Sequence, residues 1–274
     1  MHGRVLVIAG SDSGGGAGIQ ADIKSVTAMG GYAMTAITAL TAQNTQGVFA
    51  IHAVPEDFIR RQIELCLADI GADCIKTGML ATAGVIETVA KALDALAPAV
   101  PLVADPVMVA KGGAALLEPA AVDAVKRLLL PRAALVTPNL PEAEALLGRK
   151  VGSRAEMQAA GEALLALGAK AVLMKGGHLP GPRIFDVLVT PGEARVFESA
   201  RIETRHTHGT GCTLASAIAA GLAQGMALAD AVARARAYVQ AAIKNAPGYG
   251  KGHGPLDHAV TVDPSLIEDG FKEA

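Results

Sequence analysis

The feature that most constrains the fold of this chain is an alternation of two hydrophobic patterns. Short continuous apolar runs are followed, within a few residues, by segments whose apolar residues recur at helical spacing. Val5-Leu-Val-Ile-Ala9 is such a run, and Ile19, Ile23, Val26 and Met29 follow it before Gly30-Gly31. A strand that is apolar throughout is buried on both faces, as in a parallel sheet, where a helix must carry the chain back before the next strand begins. The pattern returns at Asp73 to Met79 with Val85, Val89, Leu93 and Leu96 behind it. It returns again at Val100 to Ala104 with a helix near Pro119 to Leu130, and at Ala133 to Thr137 with a short helix.

Ala33 to Thr41, Val48 to Val54 and Lys170 to Met174 read as further strands. Pro55 opens a helix carrying Phe58, Ile59, Ile63, Leu67 and Ile70. Ile184 to Thr190 and Ala194 to Phe197 pair about Pro191-Gly192, Ile202 to Arg205 is extended, and Leu228 to Ile243 is helical. The expected fold is α/β: a single doubly wound three-layer α/β/α domain over residues 1–274 with a mostly parallel central sheet. The stretch from Gly248, with four glycines by Gly254, reads as a loosely structured tail or a mobile flap.

Such sheets bind ligands beyond the carboxyl ends of their strands. Thr207-His-Gly-Thr-Gly-Cys-Thr213 precedes Leu214, Ile218 and Leu222 at i, i+4 and i+8, so it lies at a helix N-terminus. There the first N–H groups lack intrahelical partners and the helix dipole is positive, which makes an anion hole. The plain alternative is a glycine turn capped by Thr210 or Thr213. Gly10-Ser-Asp-Ser-Gly-Gly-Gly-Ala-Gly18 is a second glycine loop between strand and helix, and it strengthens the phosphate reading. A GxxxxGK[ST] loop is absent. Gly16-Ala-Gly18-Ile-Gln-Ala21 matches a dinucleotide fingerprint, but no acidic residue follows between Lys24 and Pro55.

Polar residues at other strand ends complete the pattern. Asp105, before Pro106, suits magnesium or a substrate hydroxyl, or closes an Asx turn. Asn139 and Glu142 stand three apart at a helix start, where they either share a site or cap the helix. Ser153 and Glu156 form the cleaner capping box and carry no function. Lys175, before Gly176-Gly177, suits a polyphosphate. The Gln43 amide offers a donor and an acceptor to a heterocycle edge, or simply closes a turn. Cys212 lies inside the anion hole, where a helix N-terminus lowers a thiol pKa and favours a thiolate base. Its rival role is the nucleophile of a cysteine hydrolase, with His206 or His208 beside it.

Composition removes other classes. A net charge of −2 with 3% aromatic residues and no Trp supplies neither a basic stripe nor stacking platforms for nucleic acid. No apolar run approaches the ~18 residues that cross a bilayer, and the apolar start is too short for a signal peptide. Three cysteines without paired spacing give no disulfide framework or zinc site, so a cytoplasmic setting is expected.

Seven motifs in order resemble the ribokinase-like superfamily and, within it, the hydroxymethylpyrimidine/phosphomethylpyrimidine kinases of thiamine biosynthesis. They are the loop Gly10 to Asp22, Thr41-Ala-Gln-Asn-Thr45, Lys76-Thr-Gly-Met79, Asp105-Pro-Val-Met108, Thr137-Pro-Asn-Leu-Pro-Glu142, Met174-Lys-Gly-Gly-His178 and Thr207 to Thr213. The resemblance implies ATP- and Mg2+-dependent phosphorylation of the pyrimidine hydroxymethyl group and then of the monophosphate, by a homodimer. It implies that Gln43 pairs with the ring while Gly10, Ala17, Asp22, Met79 and Val107 line its pocket. Gly209, Thr210, Gly211 and Cys212 would hold the transferring phosphoryl group, with Cys212 where most of the superfamily has an aspartate. Lys175, Thr207 and Asn139 would serve the nucleotide, and Asp105 and Glu142 the metal. Ser13 replaces a common proline, and His206 replaces a common Asn or Asp. A pyridoxal kinase is the runner-up, and a nonenzymatic nucleotide-binding module would leave the metal and base candidates idle.

Overall fold

The structure is a computed structural model that describes residues 2–109, 113, 116–118 and 120–263. In chain order, β1 (Arg4–Asp12), α1 (Gly18–Ala28), β2 (Tyr32–Asn44), β3 (Gly47–Ala53), α2 (Glu56–Asp69), β4 (Cys74–Thr77) and α3 (Ala83–Leu96) form the first half. The chain continues through β5 (Leu102–Ala104), α4 (Ala121–Ala124), β6 (Leu135–Val136), α5 (Leu140–Leu147), α6 (Arg154–Ala166) and β7 (Val172–Lys175). The hairpin β8 (Arg183–Thr190) and β9 (Glu193–Ala200) precedes α7 (Thr210–Ala223) and α8 (Leu228–Lys244). The helix expected near Pro119 to Leu130 runs from α4 through a π turn at Val125–Leu129 into a 3₁₀ turn at Leu130–Arg132. Pro119 itself lies outside the described residues. Ile202 to Arg205 joins no strand.

The strands form one sheet in the order β3-β2-β1-β4-β5-β6-β7-β8-β9. The pairs from β2 through β7 are parallel; β3 at one edge and the β8–β9 hairpin at the other are antiparallel. Successive side chains of a strand point to opposite faces, so each inner strand serves two cores. Leu6 and Ile8 pack toward Ile59, Ile63, Val85 and Ile86 of α2 and α3. Val5, Val7 and Ala9 pack toward Ile19 and Val26 of α1 and Leu214 and Ile218 of α7. Both faces are covered, which is why these runs carry no polar alternation.

The expected loose tail is not what the described part of it shows. Residues 248–263 lie over the site: His253 N–H donates to Thr45 O, Gly254 O accepts from His208 N–H, and Asp257 N–H donates to Ala242 O. Leu256 and His258 are buried, and Tyr238 Oη donates to His258 O. Glycine gives this segment close approach rather than looseness, since a Cβ at Gly252 or Gly254 would overlap Thr45 or His206. Residues 264–274 of the expected tail lie outside the described residues.

Candidate active site

The parallel strands end on one edge, and their terminal residues line a cleft of about 850 Å³. Gly10 and Asp12 come from β1, Met79 from the turn after β4, Asp105 from beyond β5, Asn139 and Glu142 from the start of α5, and Lys175 from the end of β7. Gln43, Ala17, Val107, Thr207, Gly209, Thr210, Gly211 and Cys212 share the same wall. Fourteen of the fifteen residues expected at a site thus meet in one cavity. Asp22 is the exception.

The α7 N-terminus has the open geometry expected of it. Gly209 is its cap at φ +83° without any side-chain capping bond, and its first internal bond runs from Thr213 N to Gly209 O. Thr210 Oγ1 turns back to donate to Thr207 O at 2.7 Å, and Thr213 Oγ1 lies 2.9 Å from His258 Nε2. Neither hydroxyl caps the helix, so helix geometry leaves the Gly211 and Cys212 N–H groups for a ligand. A Cβ at Gly211 would stand 3.3 Å from Lys175 Nζ and 3.7 Å from Asp105 Oδ2, which puts the helix end against a charged cluster.

That cluster has Lys175 at its centre. Its Nζ lies 2.9 Å from Asp105 Oδ1 and 3.8 Å from Glu142 Oε2, and Thr137 Oγ1 donates to Asp105 Oδ1 at 2.8 Å. Burial alone would lower the Lys175 amine, but Asp105 and then Glu142 hold it above its ordinary range. Burial would raise Asp105, and Lys175 and Lys76 outweigh it and hold the carboxyl low. Glu142 goes the other way: burial raises it to about 7 against the pull of Lys175. Asn139 and Glu142 form a reciprocal capping box, with Glu142 N–H to Asn139 Oδ1 at 2.9 Å and Asn139 N–H to Glu142 Oε2 at 2.7 Å. Capping and cleft placement therefore coexist in both residues. Ser153 and Glu156 are only half a box, because Glu156 Oε2 accepts from Gly152 N–H instead.

Three expectations are corrected. The loop after β1 is not a vacant phosphate cradle, since its own Asp12 fills it: Oδ1 accepts from Gly14 N–H at 2.8 Å and Oδ2 from Gly16 and Ala17 N–H at 3.1 and 2.8 Å. Asp22 does not line the cleft. It lies beneath it, fully buried, where both carboxylate oxygens accept from Lys76 Nζ at 2.9 and 3.0 Å and one accepts from Ser216 Oγ at 2.7 Å. The Cys212 thiol is not lowered by its helix; burial pushes it up to about 12 although Lys76 pulls it down, and Gly18 N–H bonds its sulfur. The desolvation of a thiolate here exceeds what a helix end supplies.

Of the histidines expected beside Cys212, His208 Nε2 lies 2.9 Å from Asp12 Oδ2 and 3.1 Å from Gln43 Nε2, and His206 Nδ1 is buried without a hydrogen-bond partner among the described residues. The raised thiol argues against Cys212 as the nucleophile of a cysteine hydrolase. Asp12, Lys76, Ser216 and His258 are the site's unforeseen members. Lys76 had a signal in the sequence, since a lysine inside the apolar run Cys74-Ile-Lys-Thr77 must find a buried anion.

The chain has close relatives. The thiamine biosynthesis bifunctional protein ThiED of Geobacter sulfurreducens is 50% identical over 96% of this chain, which spans about half (53%) of that protein's length. The hydroxymethylpyrimidine/phosphomethylpyrimidine kinase of Bacillus subtilis is 45% identical over 96% of this chain and 97% of its own. The pyridoxal kinase of Staphylococcus aureus, solved with AMP-PCP and pyridoxal, superposes with a TM-score of 0.87 at 35% identity, covering 96% of each chain. The sequence model of the phosphomethylpyrimidine kinase family matches residues 12–257, which takes in every strand-end motif lining the cleft except Gly10, and the chain belongs to that family.

Proposed function

We propose that the cleft binds a hydroxymethylpyrimidine at the Gln43 end and MgATP at the Lys175 end, and phosphorylates first the hydroxymethyl group and then the resulting monophosphate. The observation that carries this reading is the α7 N-terminus standing between those ends, with Gly209 against the Gly16 carbonyl on one side and Gly211 beside Lys175 on the other. A phosphoryl group on the Gly211 and Cys212 N–H groups is then within reach of both ligands.

The residues have distinct tasks. Lys175 and the helix end neutralise charge on the transferring group, which is the main demand of a loose phosphoryl transition state. Asp105 and Glu142 are hard oxygen donors, too few to cage an ion alone, and fit a magnesium ion held mainly by nucleotide phosphates; they would hold it, and it would supply charge neutralisation. Gly10, Ala17, Met79 and Val107 form the ring's walls, and Thr207 and Asn139 border the nucleotide end. Cys212 enters the first step as a thiol, so the acceptor proton leaves late, after most of the P–O cleavage, and passes to an oxygen of the transferred phosphoryl group. The second step has an ionised phosphate oxygen as nucleophile and needs no base.

The same proposal includes a cytoplasmic homodimer. Phe49 is 70% and Ile51 46% exposed on the edge strand β3, apolar side chains that an unpaired edge seldom presents to water. ADP release with MgATP on hydroxymethylpyrimidine, its monophosphate and pyridoxal tests the reading, with Cys212→Ala and Gln43→Ala alongside. Turnover of both pyrimidines is expected, with Gln43→Ala mainly raising KM. Turnover of pyridoxal alone would transfer the assignment to the substrate of the Staphylococcus aureus neighbour, and no acceptor-dependent ADP would end it.

A further inference from the structure

The two ends of the Gln43 amide have nearly the same shape and opposite hydrogen-bonding character. Gln43 Nε2 lies 3.1 Å from His208 Nε2, and Gln43 Oε1 lies 3.2 Å from Thr41 Oγ1. The surrounding protons decide which end belongs where. Burial alone would raise the Asp12 carboxyl, but His208 and the loop N–H groups outweigh it and hold it low, so it is ionised and can only accept. Its Oδ2 lies 2.9 Å from His208 Nε2. A bare ring nitrogen there would set lone pair against lone pair, so His208 Nε2 carries a proton. A protonated nitrogen has nothing with which to accept, and the amide end facing it must be oxygen.

The other end gives the same answer independently. Thr41 Oγ1 has one proton, and Ser11 O takes it at 2.8 Å. What remains for Gln43 is a lone pair, which calls for the NH2 group.

We infer that the Asp12–His208 pair fixes the Gln43 amide with its oxygen toward His208 and its NH2 toward Thr41, and thereby sets which way round the acceptor ring binds. The free lone pair of the amide then lies on the His208 side and the free N–H on the Thr41 side. A ring edge pairs with both only when its amino donor points toward His208 and its ring-nitrogen acceptor toward Thr41. A 4-oxo analogue presents an acceptor where the site offers a lone pair. His208 is thus a positioning residue for specificity, and its surroundings hold it: its backbone N–H donates to Gly254 O, and a Cβ at Gly16 would meet the imidazole at 2.6 Å. The ring orientation rests on the pyrimidine kinase reading; the amide orientation does not.

Two measurements separate them. In the ligand-free full chain, 15N NMR should show His208 Nε2 bearing the proton, and Gln43 side-chain NH2 protons should show NOEs to Thr41 rather than to the His208 ring. An unprotonated Nε2, or NOEs to the imidazole, overturns the inference whatever the enzyme does. In turnover, the parent should prefer the 4-amino over the 4-oxo acceptor in kcat/KM. His208→Leu should shrink that ratio by at least about tenfold, mainly through KM, and His208→Gln, which keeps a donor for Asp12, should restore part of it. Equal losses on both acceptors in His208→Leu would reduce His208 to a structural part and overturn its role in specificity. Failure of every pyrimidine to turn over, with the NMR pattern intact, would sink the kinase reading alone.

Discussion

Lys76→Met probes the layer on which the cleft rests. Lys76 and Asp22 are both 0% exposed, and among the described residues the carboxylate has Lys76 and the Ser216 hydroxyl as its hydrogen-bond partners. Methionine nearly fills the lysine's volume, so the substitution removes charge with little cavity. The Asp22 carboxylate then keeps one hydrogen bond and no cation, and breaking a buried pair in this way costs about 3–5 kcal/mol. At ~2–4 °C per kcal/mol for a chain of this size, Tm should fall by about 6–20 °C. With no Trp in the sequence, urea unfolding is best followed by far-UV circular dichroism. Burial already holds the Asp22 carboxyl above its ordinary range against the pull of Lys76, and without Lys76 it rises further in the native state while the unfolded chain ionises near the ordinary value. The loss should therefore be smallest below about pH 4 and grow as pH rises. Adding Asp22→Asn removes the stranded charge and should recover more than half of the loss, an interaction energy of several kcal/mol in the double-mutant cycle. A single variant within about 1 kcal/mol of the parent at pH 7, or a double variant no better than the single, would refute the buried-pair account.

His258 is 7% exposed, and burial, with Lys24 adding and Asp257 opposing, holds its imidazole down to about 4. A native pKa below the unfolded one means stability is lost as pH falls from about 6.5 toward 4, by up to about 3 kcal/mol, and urea midpoints of His258→Gln should lack that slope. Glu142, raised to about 7, must ionise before it can serve a cation. The Mg2+ requirement of the parent should fall by up to about tenfold between pH 6 and 8, while Glu142→Gln shows a flat and weaker response; a pH-independent requirement in the parent would count against Glu142 as a ligand. Because ionisation of a group raised in the native state is unfavourable there, ligand-free stability should also decline as pH rises from about 4.5 to 7, measurable by the same denaturation series. Gly209→Ala forces a side chain into φ +83° and its Cβ onto the Gly16 carbonyl. A loss of about a hundredfold or more in kcat/KM is expected from ADP-release assays, whereas Gly47→Ala, which meets nothing within 4 Å, should stay near the parent.

The alternation of patterns located the layers, and strand boundaries differ from expectation by only a few residues: Val100 to Ala104 narrows to Leu102–Ala104, and Ala33 to Thr41 lengthens to Tyr32–Asn44. Strand ends in a parallel sheet converge on one edge, so residues as far apart as Asp105 and Lys175 could be assigned to one cleft before any distance was known. Glycine content was the weaker guide. Glycines signalled a cradle after β1 and looseness after Gly248, but the first cradle is filled by Asp12 and the second stretch is packed across Thr45 and His208. A glycine reports that backbone comes close to something; it does not report to what.

Local pattern by itself determined the fold class, the order of layers and the edge at which chemistry occurs, because hydrophobic period and strand direction are properties of short segments. The tertiary structure alone decided the charge state of the site. Cys212 is a thiol, Glu142 is half-protonated near neutrality and Lys76 is a buried cation because of neighbours far away in the chain, such as Lys175 for Glu142 and Asp22 for Lys76, and the water those neighbours exclude, and a pKa responds to both.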